Sequence, residues 1–333
     1  MTAPATMQAA VLETAGAPFR LATVSRPIPG AGEVLVRIAA SGVNPLDTKI
    51  QAGEAEHARH RLPAILGLDL AGTIEALGAG VMRFRRGDAV YGMAGGVGGH
   101  QGSLAEYAAV DADLLAIKPA NLSMREAAAV PLVFITAWEG LVDRASVRAG
   151  QSVLVTGGAG GVGQMVIQIA KSFGADVFAT GSASSRDAIV RLGAGFIDRA
   201  EPAADALARV TEGRGFDIVY DTAGGPSLDA AFASVRRFGH VVSCLGWGAH
   251  ALAPLSFRAA TYSGVFTLLP LLTGEGRAHH GAILAEATRL IEAGQVLPRL
   301  DGRRFTLATV GDAYRAITSG SGRGKMVVDI GAD

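Results

Sequence analysis

Three glycines with the spacing G-x-G-x-x-G lie between a short apolar run and an amphipathic segment. Glycine lets the backbone approach a pyrophosphate closely, and the free amides and dipole at the start of a following helix favour negative charge. The pattern predicts a dinucleotide-binding loop, and its alternative is a plain tight turn. The predicted contacts are Gly158, Ala159, Gly160, Gly161, Val162 and Gly163.

The residues after the next apolar run indicate which dinucleotide the loop would hold. An NAD site usually has Asp or Glu near the end of this strand, but Thr180 and Gly181 occupy that place here. Ser182, Ser185 and Arg186 follow and can donate hydrogen bonds and positive charge to a 2′-phosphate. Together with Gly181 they are the predicted contacts of NADPH. The alternative for Arg186 is a solvated side chain in the first turn of a helix.

A second glycine cluster, "AGGVGG" at residues 94–99, has nearly the same letters. No helical segment follows it, so it lacks the strand–loop–helix context of a phosphate site. We predict a flexible surface loop, and its functional alternative is the rim of a pocket.

The elements that must position the first loop alternate between strands and helices. Apolar runs separated by helical segments predict a parallel, doubly wound sheet between residues 128 and 268. These runs are 153–156, 177–180, 218–220 and 241–245. Residues 1–127 show short strands and loops, and the tail at 269–333 ends in a further strand, so the predicted fold class is α/β with three segments.

Composition limits the partners that the protein can have. The 30 basic and 30 acidic residues cancel and form no blocks, which gives no reason to expect nucleic acid or a membrane surface as a partner. A single cysteine, Cys244, allows no intrachain disulfide, and we expect it to be an inert core residue. Neither a signal peptide nor a membrane-spanning run is recognisable, so a cytoplasmic protein with a small-molecule substrate is expected.

Several motifs together resemble the medium-chain dehydrogenase/reductase superfamily, and specifically its zinc-independent quinone oxidoreductase branch. They are "SGVNPLD" at 41–47, "LPAILGLDLAGTIEALGAGVMRFRRGDAVYG" at 62–92 and the "GGAGGVG" loop. The resemblance covers nearly the whole chain. It implies a GroES-like β-barrel catalytic domain, to which the C-terminal tail returns, and a Rossmann domain between them.

The same resemblance settles what to expect of zinc, which the superfamily's alcohol dehydrogenases carry. Their three catalytic ligand positions correspond to Asn44, Leu68 and Leu132, and leucine cannot ligate a metal. No catalytic zinc is expected. Without a Lewis acid, reduction of a quinone or an enone is easier to explain than alcohol oxidation, since the charge left by the hydride is delocalised on an enolate-like oxygen.

Site residues near the nicotinamide follow from the resemblance alone. It places Asn44 of "GVNP" and Thr136 of "VFITAWEG" beside the nicotinamide and the substrate. Their alternatives are a turn residue before a proline and a helix-interior residue. The further implied cofactor contacts are Leu245, Gly246, Phe266, Leu268, Arg323 and Lys325. The last two have surface charge as their alternative.

Three functions remain open at this point. The first is an NADPH-dependent quinone reductase, the second an NADPH-dependent reductase of enones or alkenals, and the third a non-catalytic NADPH-binding structural protein. The chain departs from many relatives at Lys49 and Gln51, where they carry Tyr and Arg, so pocket polarity is left open. A homodimer is expected, because the branch joins sheets edge to edge and "YSGVFTLLP" (262–270) reads as an apolar edge strand.

Overall fold

The structure is a computed structural model, and it describes residues 5–331. It divides into two compact units. The first unit comprises Met1–Leu132 and Leu268–Asp333, and the second comprises Val133–Thr267. The domain limits expected from the sequence, after residues 127 and 268, stay a prediction.

The strands follow one another in this order: β1 (Thr6–Leu12), β2 (Arg20–Ser25), β3 (Glu33–Val43), β4 (Ala64–Ile65), β5 (Asp69–Leu77), β6 (Ala89–Met93), β7 (Tyr107–Asp111), β8 (Leu115–Ile117), β9 (Ser152–Val155), β10 (Asp176–Gly181), β11 (Gly195–Asp198), β12 (Phe216–Asp221), β13 (Val235–Ser243), β14 (Thr261–Gly264), β15 (Phe305–Thr306) and β16 (Met326–Asp329).

The α-helices are α1 (Pro45–Ala52), α2 (Met124–Ala128), α3 (Pro131–Trp138), α4 (Gly161–Ser172), α5 (Arg186–Arg191), α6 (Ala203–Thr211), α7 (Pro226–Ser234), α8 (Ala253–Ser256), α9 (Leu269–Thr273), α10 (Arg277–Glu292) and α11 (Val310–Thr318). Short 3₁₀ turns lie at Glu56–Ala58, Ala112–Leu114, Ala183–Ser185 and Leu307–Thr309, and a π-helical turn at Glu139–Arg144.

The second unit contains a six-stranded parallel sheet in the order β11-β10-β9-β12-β13-β14. The chain runs outward from β9 in one direction and then returns to start again at β12, so the strand order reverses between these two strands. This is the Rossmann arrangement, in which ligands bind at the carboxyl ends of the strands beside the reversal. The predicted parallel sheet is confirmed.

Apolar side chains explain why this sheet forms. Val153 and Val155 of β9 are fully buried, and Ile167 and Ile169 of α4 are too. Burial of such side chains contributes roughly 1.5–3 kcal/mol each relative to exposure. The helix therefore packs along its apolar residues and keeps its N-terminus at the end of the sheet where β9 finishes.

The first unit contains a three-stranded sheet, β2-β1-β4, and a seven-stranded sheet in the order β15-β16-β3-β5-β6-β8, with β7 paired to β3. Register matters here for chemistry. Met326 lies opposite Val43, and Gly42 lies opposite Asp69. Residues that flank these pairs, Lys325 and Asn44, are thereby brought beside Asp69.

Two expectations need correction. Residues 94–97 of the second glycine cluster are buried and only Gly98 and Gly99 are exposed, and Gly95 packs so closely on the Gln101 backbone that a side chain there would overlap it. The expected edge strand at 262–270 is shorter than its apolar letters imply. It comprises Thr261–Gly264, and Leu269 already begins a helix.

Between residues 5 and 331, no helix has the length and apolar character that crossing a membrane requires.

Candidate active site

The glycine loop lies between β9 and α4, in the context that the sequence predicts. Gly160 is the N-cap of α4, and its backbone is extended, with φ −71° and ψ 167°. The amides at the start of an α-helix have no intrahelical acceptor, and the first turn of α4 contains no acidic residue. An anion at this end of the helix would therefore meet free donors and no repelling carboxylate.

Two glycines of the loop cannot carry a side chain without moving other atoms. A Cβ at Gly163 would overlap the carbonyl oxygen of Gly157, and a Cβ at Gly158 would lie 2.5 Å from the Cβ of Ala179. The loop is thus folded tightly against β10 and against itself. Because these glycines have no side chains, the pyrophosphate of a dinucleotide could approach the loop backbone closely.

The end of β10 presents hydroxyl groups and an arginine. Ser182 Oγ lies 3.0 Å from Ser184 Oγ, and Ser185 Oγ donates to the carbonyl oxygen of Ser182 at 2.7 Å. Arg186 is exposed, and its guanidinium carbon lies 5.3 Å from the centre of the Phe196 ring. The guanidinium is therefore held near the end of β10, where the 2′-phosphate of NADPH is expected.

The sequence analysis missed a second arginine at this place. Arg199 follows β11, is exposed, and donates its backbone N–H to the carbonyl oxygen of Gly181 at 2.9 Å. The signal was available, since a residue just past the neighbouring parallel strand must end at the same edge of the sheet.

Asp221 organises the carboxyl ends of the central strands. Its buried carboxylate accepts hydrogen bonds from Thr156 Oγ1 at 2.8 Å, Ser243 Oγ at 2.8 Å and Ser227 Oγ at 2.9 Å. It also accepts from the backbone N–H of Gly224 at 2.9 Å. Because these donors come from the ends of β9, β12 and β13 and from the start of α7, one side chain fixes the loops beside the strand reversal.

Thr136 lies on α3 and is buried. Its hydroxyl oxygen lies 3.0 Å from that of Thr267, and the Thr267 hydroxyl donates to Glu139 Oε2 at 3.1 Å. The Tyr220 hydroxyl donates to the carbonyl oxygen of Thr136. This network sets the position of the Thr136 side chain within the second unit.

The other residues implied for the nicotinamide half lie in loops after strands. The N–H of Leu245 donates to Ser243 Oγ at 3.1 Å, and a side chain at Gly246 would overlap the Tyr262 hydroxyl. Phe266 packs edge-on against Trp247, with ring centres 6.0 Å apart. Leu268 is buried and belongs to the first unit.

Asn44 belongs to a buried polar cluster of the first unit. Its Nδ2 donates to Asp69 Oδ2 at 2.9 Å, and its Oδ1 accepts a hydrogen bond from Lys325 Nζ. Asp69 also accepts from the backbone N–H of Leu132 at 2.9 Å. Both ends of the Asn44 amide are therefore held.

Lys325 is part of this cluster, so its alternative as surface charge is wrong. Only 9% of its side chain is exposed, and Nζ lies 3.5 Å from Asp69 Oδ2. Burial lowers the pKa of Lys325, and the nearby Asp69 and Asp47 oppose that shift. Arg323 is exposed, and its backbone N–H donates to Asp301 Oδ2 at 2.9 Å.

Two of the three positions that correspond to the superfamily's zinc ligands are leucines, Leu68 and Leu132. Leu68 is fully buried, and its side chain offers no lone pair. Within residues 5–331 there is no group of three or more His, Cys, Asp or Glu side chains that could hold a metal ion. Burial raises the pKa of Cys244 to about 12, so its thiol is a poor source of thiolate.

Two family signatures match the chain. Residues 30–120 match the alcohol dehydrogenase GroES-like domain, and residues 192–328 match the zinc-binding dehydrogenase family. The first match lies within the first unit, and the GroES-like part of the predicted fold class is confirmed.

Curated relatives and a solved structure agree with these matches. The chain is 36% identical over 304 residues to 2-methylene-furan-3-one reductase of Solanum lycopersicum, covering 89% of this chain and 71% of the relative. It is 35% identical to the chloroplastic NADPH-dependent alkenal/one oxidoreductase of Arabidopsis thaliana, covering 89% and 72%.

An alcohol dehydrogenase superfamily protein from Novosphingobium aromaticivorans has a crystal structure that is similar throughout, with a TM-score of 0.97 and 58% identity over 98% of this chain and 100% of that one. Identity at this level over whole chains, together with the Rossmann strand order and the glycine loop, leaves one conclusion. The chain belongs to the medium-chain dehydrogenase/reductase superfamily.

Proposed function

We propose that the protein is an NADPH-dependent reductase of the carbon–carbon double bond of an enone or alkenal, and that it works without zinc. The observation that supports this proposal is the glycine loop at the N-terminus of α4, in a chain similar to a 2-methylene-furan-3-one reductase and an NADPH-dependent alkenal/one oxidoreductase. Reduction of a quinone, the first function predicted from the sequence, needs the same cofactor and is the competing function.

The cofactor is NADPH, which when bound supplies a hydride. Residues 158–163 and the N-terminus of α4 bind its pyrophosphate, and Ser182, Ser185 and Arg186 bind its 2′-phosphate. Arg199 adds a second positive charge at the same edge of the sheet. Gly181 lets the chain turn there, since a Cβ at this position would overlap the Ser185 hydroxyl.

Asn44 and Thr136 orient the nicotinamide and the substrate. The Asn44 amide is pre-oriented by Asp69 and Lys325, which hold its Nδ2 and its Oδ1. Preorganised donors of this kind stabilise charge that develops in a transition state without first having to reorganise. Leu245, Gly246, Phe266 and Leu268 line the nicotinamide half, and Arg323 closes over the cofactor.

A conjugated acceptor suits a site in which two of the three zinc-ligand positions are leucines. The hydride leaves an enolate, whose charge is spread over oxygen and carbon, so hydrogen-bond donors and a proton are sufficient. An alkoxide would need stabilisation that a metal usually supplies. Leu68 and Leu132 cannot hold one.

The test is a substrate panel with NADPH oxidation followed by absorbance. It contains an enone, an alkenal, a benzoquinone and a naphthoquinone, and each product is identified by mass spectrometry. We expect saturated ketone and aldehyde as products, and turnover that a strong chelator leaves unchanged. Quinone reduction without enone reduction would establish the competing function, and no turnover with any acceptor would establish a non-catalytic role.

We also propose a homodimer formed through β14. Within residues 5–331 this strand ends the six-stranded sheet and pairs with β13 alone. Large apolar side chains near this edge are exposed, including Phe238 at 77% and Phe257 at 83%. An unpaired strand edge beside exposed apolar residues can pair with the same strand of a second copy of the chain.

A further inference from the structure

We propose that Asp47 is a positioning residue whose side chain is a neutral carboxylic acid in the working enzyme. Because a neutral Asp47 does not attract the Lys325 ammonium, that ammonium remains bound to Asn44 and Asp69. The predicted effect of Asp47 on the rate of enone reduction rests on the proposed function. The protonation of Asp47 itself is a property of the protein without substrate.

Hydrogen bonds distinguish the two buried carboxyl groups. Asp69 accepts from three donors, one of them an ammonium, which suits an ionised carboxylate. Asp47 Oδ2 accepts a hydrogen bond from the backbone N–H of Asn44 at 2.7 Å, and its buried Oδ1 has no hydrogen-bond partner. Burying an ionised carboxylate oxygen without a hydrogen-bond partner costs much more free energy than burying a protonated carboxyl group.

The charges around Asp47 lead to the same assignment. The groups that face it from the elements packed on α1 are Asp69 on β5, Lys325 just before β16, and Tyr314 on α11. One ammonium thus serves two carboxyl groups, and full ionisation would leave a net negative charge in the interior. Burial raises the pKa of Asp47 to about 7, and the Asp69 charge adds to that rise.

A cavity of about 470 Å³ in the first unit lies beside α1 and α11. Thr48, next to Asp47 on α1, and Tyr314 both line it, and Phe19 packs edge-on against Tyr314 with ring centres 5.1 Å apart. The acid–base step is simple. The Asp47 O–H bond breaks, its electron pair stays on the carboxylate, and the proton passes to solvent water.

Ionisation of Asp47 has a consequence for the candidate site. A second carboxylate then competes with Asp69 for Lys325 and draws the ammonium away from Asn44 Oδ1. The Asn44 amide loses one of its two fixed partners. Reduction of the enone is therefore expected to fall above pH 7, by about tenfold for each pH unit.

The deciding variant is Asp47→Asn, which keeps a neutral side chain of the same shape at every pH. We expect its kcat/KM for an enone to match the wild-type value at pH 6 and to stay level up to pH 9, so that it exceeds the wild type at alkaline pH. Simple structural damage cannot produce that gain. The matched control is Asp312→Asn, an exposed carboxyl group that lines the same cavity and should leave the wild-type pH profile unchanged.

Infrared difference spectroscopy gives a second measurement without substrate. Wild-type protein should show the C=O band of a protonated carboxylic acid at pH 6 that disappears with a midpoint near pH 7, and Asp47→Asn should lack it. Absence of the band from the wild type overturns the proposal, as does an alkaline decline that persists in Asp47→Asn. If no enone is reduced at any pH, the proposed function fails, while the band still decides the state of Asp47.

Discussion

Lys325 Nζ lies 3.5 Å from Asp69 Oδ2, although 256 residues of chain separate the two. The antiparallel pairing of β16 with β3, and of β3 with β5, brings them together. The contact is buried on both sides, so neither group can turn to water if the other is removed.

Removal of the Lys325 ammonium should therefore destabilise the protein. We expect Lys325→Met to lower the free energy of unfolding by about 3–5 kcal/mol, because a buried carboxylate loses its counter-charge. Urea denaturation measures the change. Arg315→Met, which breaks an exposed ion pair with Asp312, is the control and should change the value by less than about 1 kcal/mol. Equal effects of the two variants would contradict the role of the buried pair.

Asp47 should make stability depend on pH. The folded protein holds a proton there up to about pH 7, whereas an unfolded chain releases it near 3.8. The folded state thus binds more protons in this window, so the contribution of Asp47 to stability is present at low pH and is lost as pH rises towards 7.

The difference between wild type and Asp47→Asn isolates this contribution. We expect the wild type to lose up to about 4 kcal/mol relative to the variant between pH 4 and pH 7. Urea denaturation at several pH values measures it. Parallel curves for the two proteins would show that Asp47 titrates normally.

Arg186→Ala should weaken NADPH binding by about ten- to a hundredfold, since a charged hydrogen bond to phosphate contributes about 1.5–3 kcal/mol. NADH affinity should stay the same, because that cofactor has no 2′-phosphate. Calorimetric titration with both cofactors measures the change. Arg209→Ala, which removes an exposed arginine paired with Glu201, is the control. An unchanged preference in Arg186→Ala would move the 2′-phosphate site elsewhere, with Arg199 the next residue to test.

Gly163→Ala should raise the Kd for NADPH by at least about tenfold, because its Cβ would displace the Gly157 carbonyl and with it the loop that binds pyrophosphate. Fluorescence titration of bound NADPH measures the affinity. Gly302→Ala is the matched control, since a Cβ there meets nothing within 4 Å. If both variants bind NADPH normally, the loop does not hold the pyrophosphate.

The proposed dimer should be visible at micromolar concentration. Light scattering is expected to give twice the monomer mass of 33.9 kDa. Ser263→Pro should produce monomers, since proline on β14 removes a donor from the edge strand. The control is Ser319→Ala, a serine change at the end of α11, far along the chain from β14. This variant should keep the mass of the wild type. A wild-type mass of 33.9 kDa refutes the dimer.

Local patterns in the sequence predicted the second unit well. Alternation of apolar runs and helical periods specifies a parallel sheet, and the spacing of Gly158, Gly160 and Gly163 specifies a tight turn into a helix. These features depend on residues close together in the chain. For that reason the strand–loop–helix arrangement predicted for the glycine loop agrees with the one in the structure.

Burial and long-range partners could not be predicted in this way. The sequence left Lys325 open as surface charge, gave Asp47 no role and missed Asp221, whose side-chain partners lie between 6 and 65 residues away. Each of these roles depends on strands that meet only in the folded chain. Burial excludes water, so a nearby charge or hydrogen bond then decides whether a carboxyl group keeps its proton. Only the tertiary structure could therefore assign these residues their chemistry.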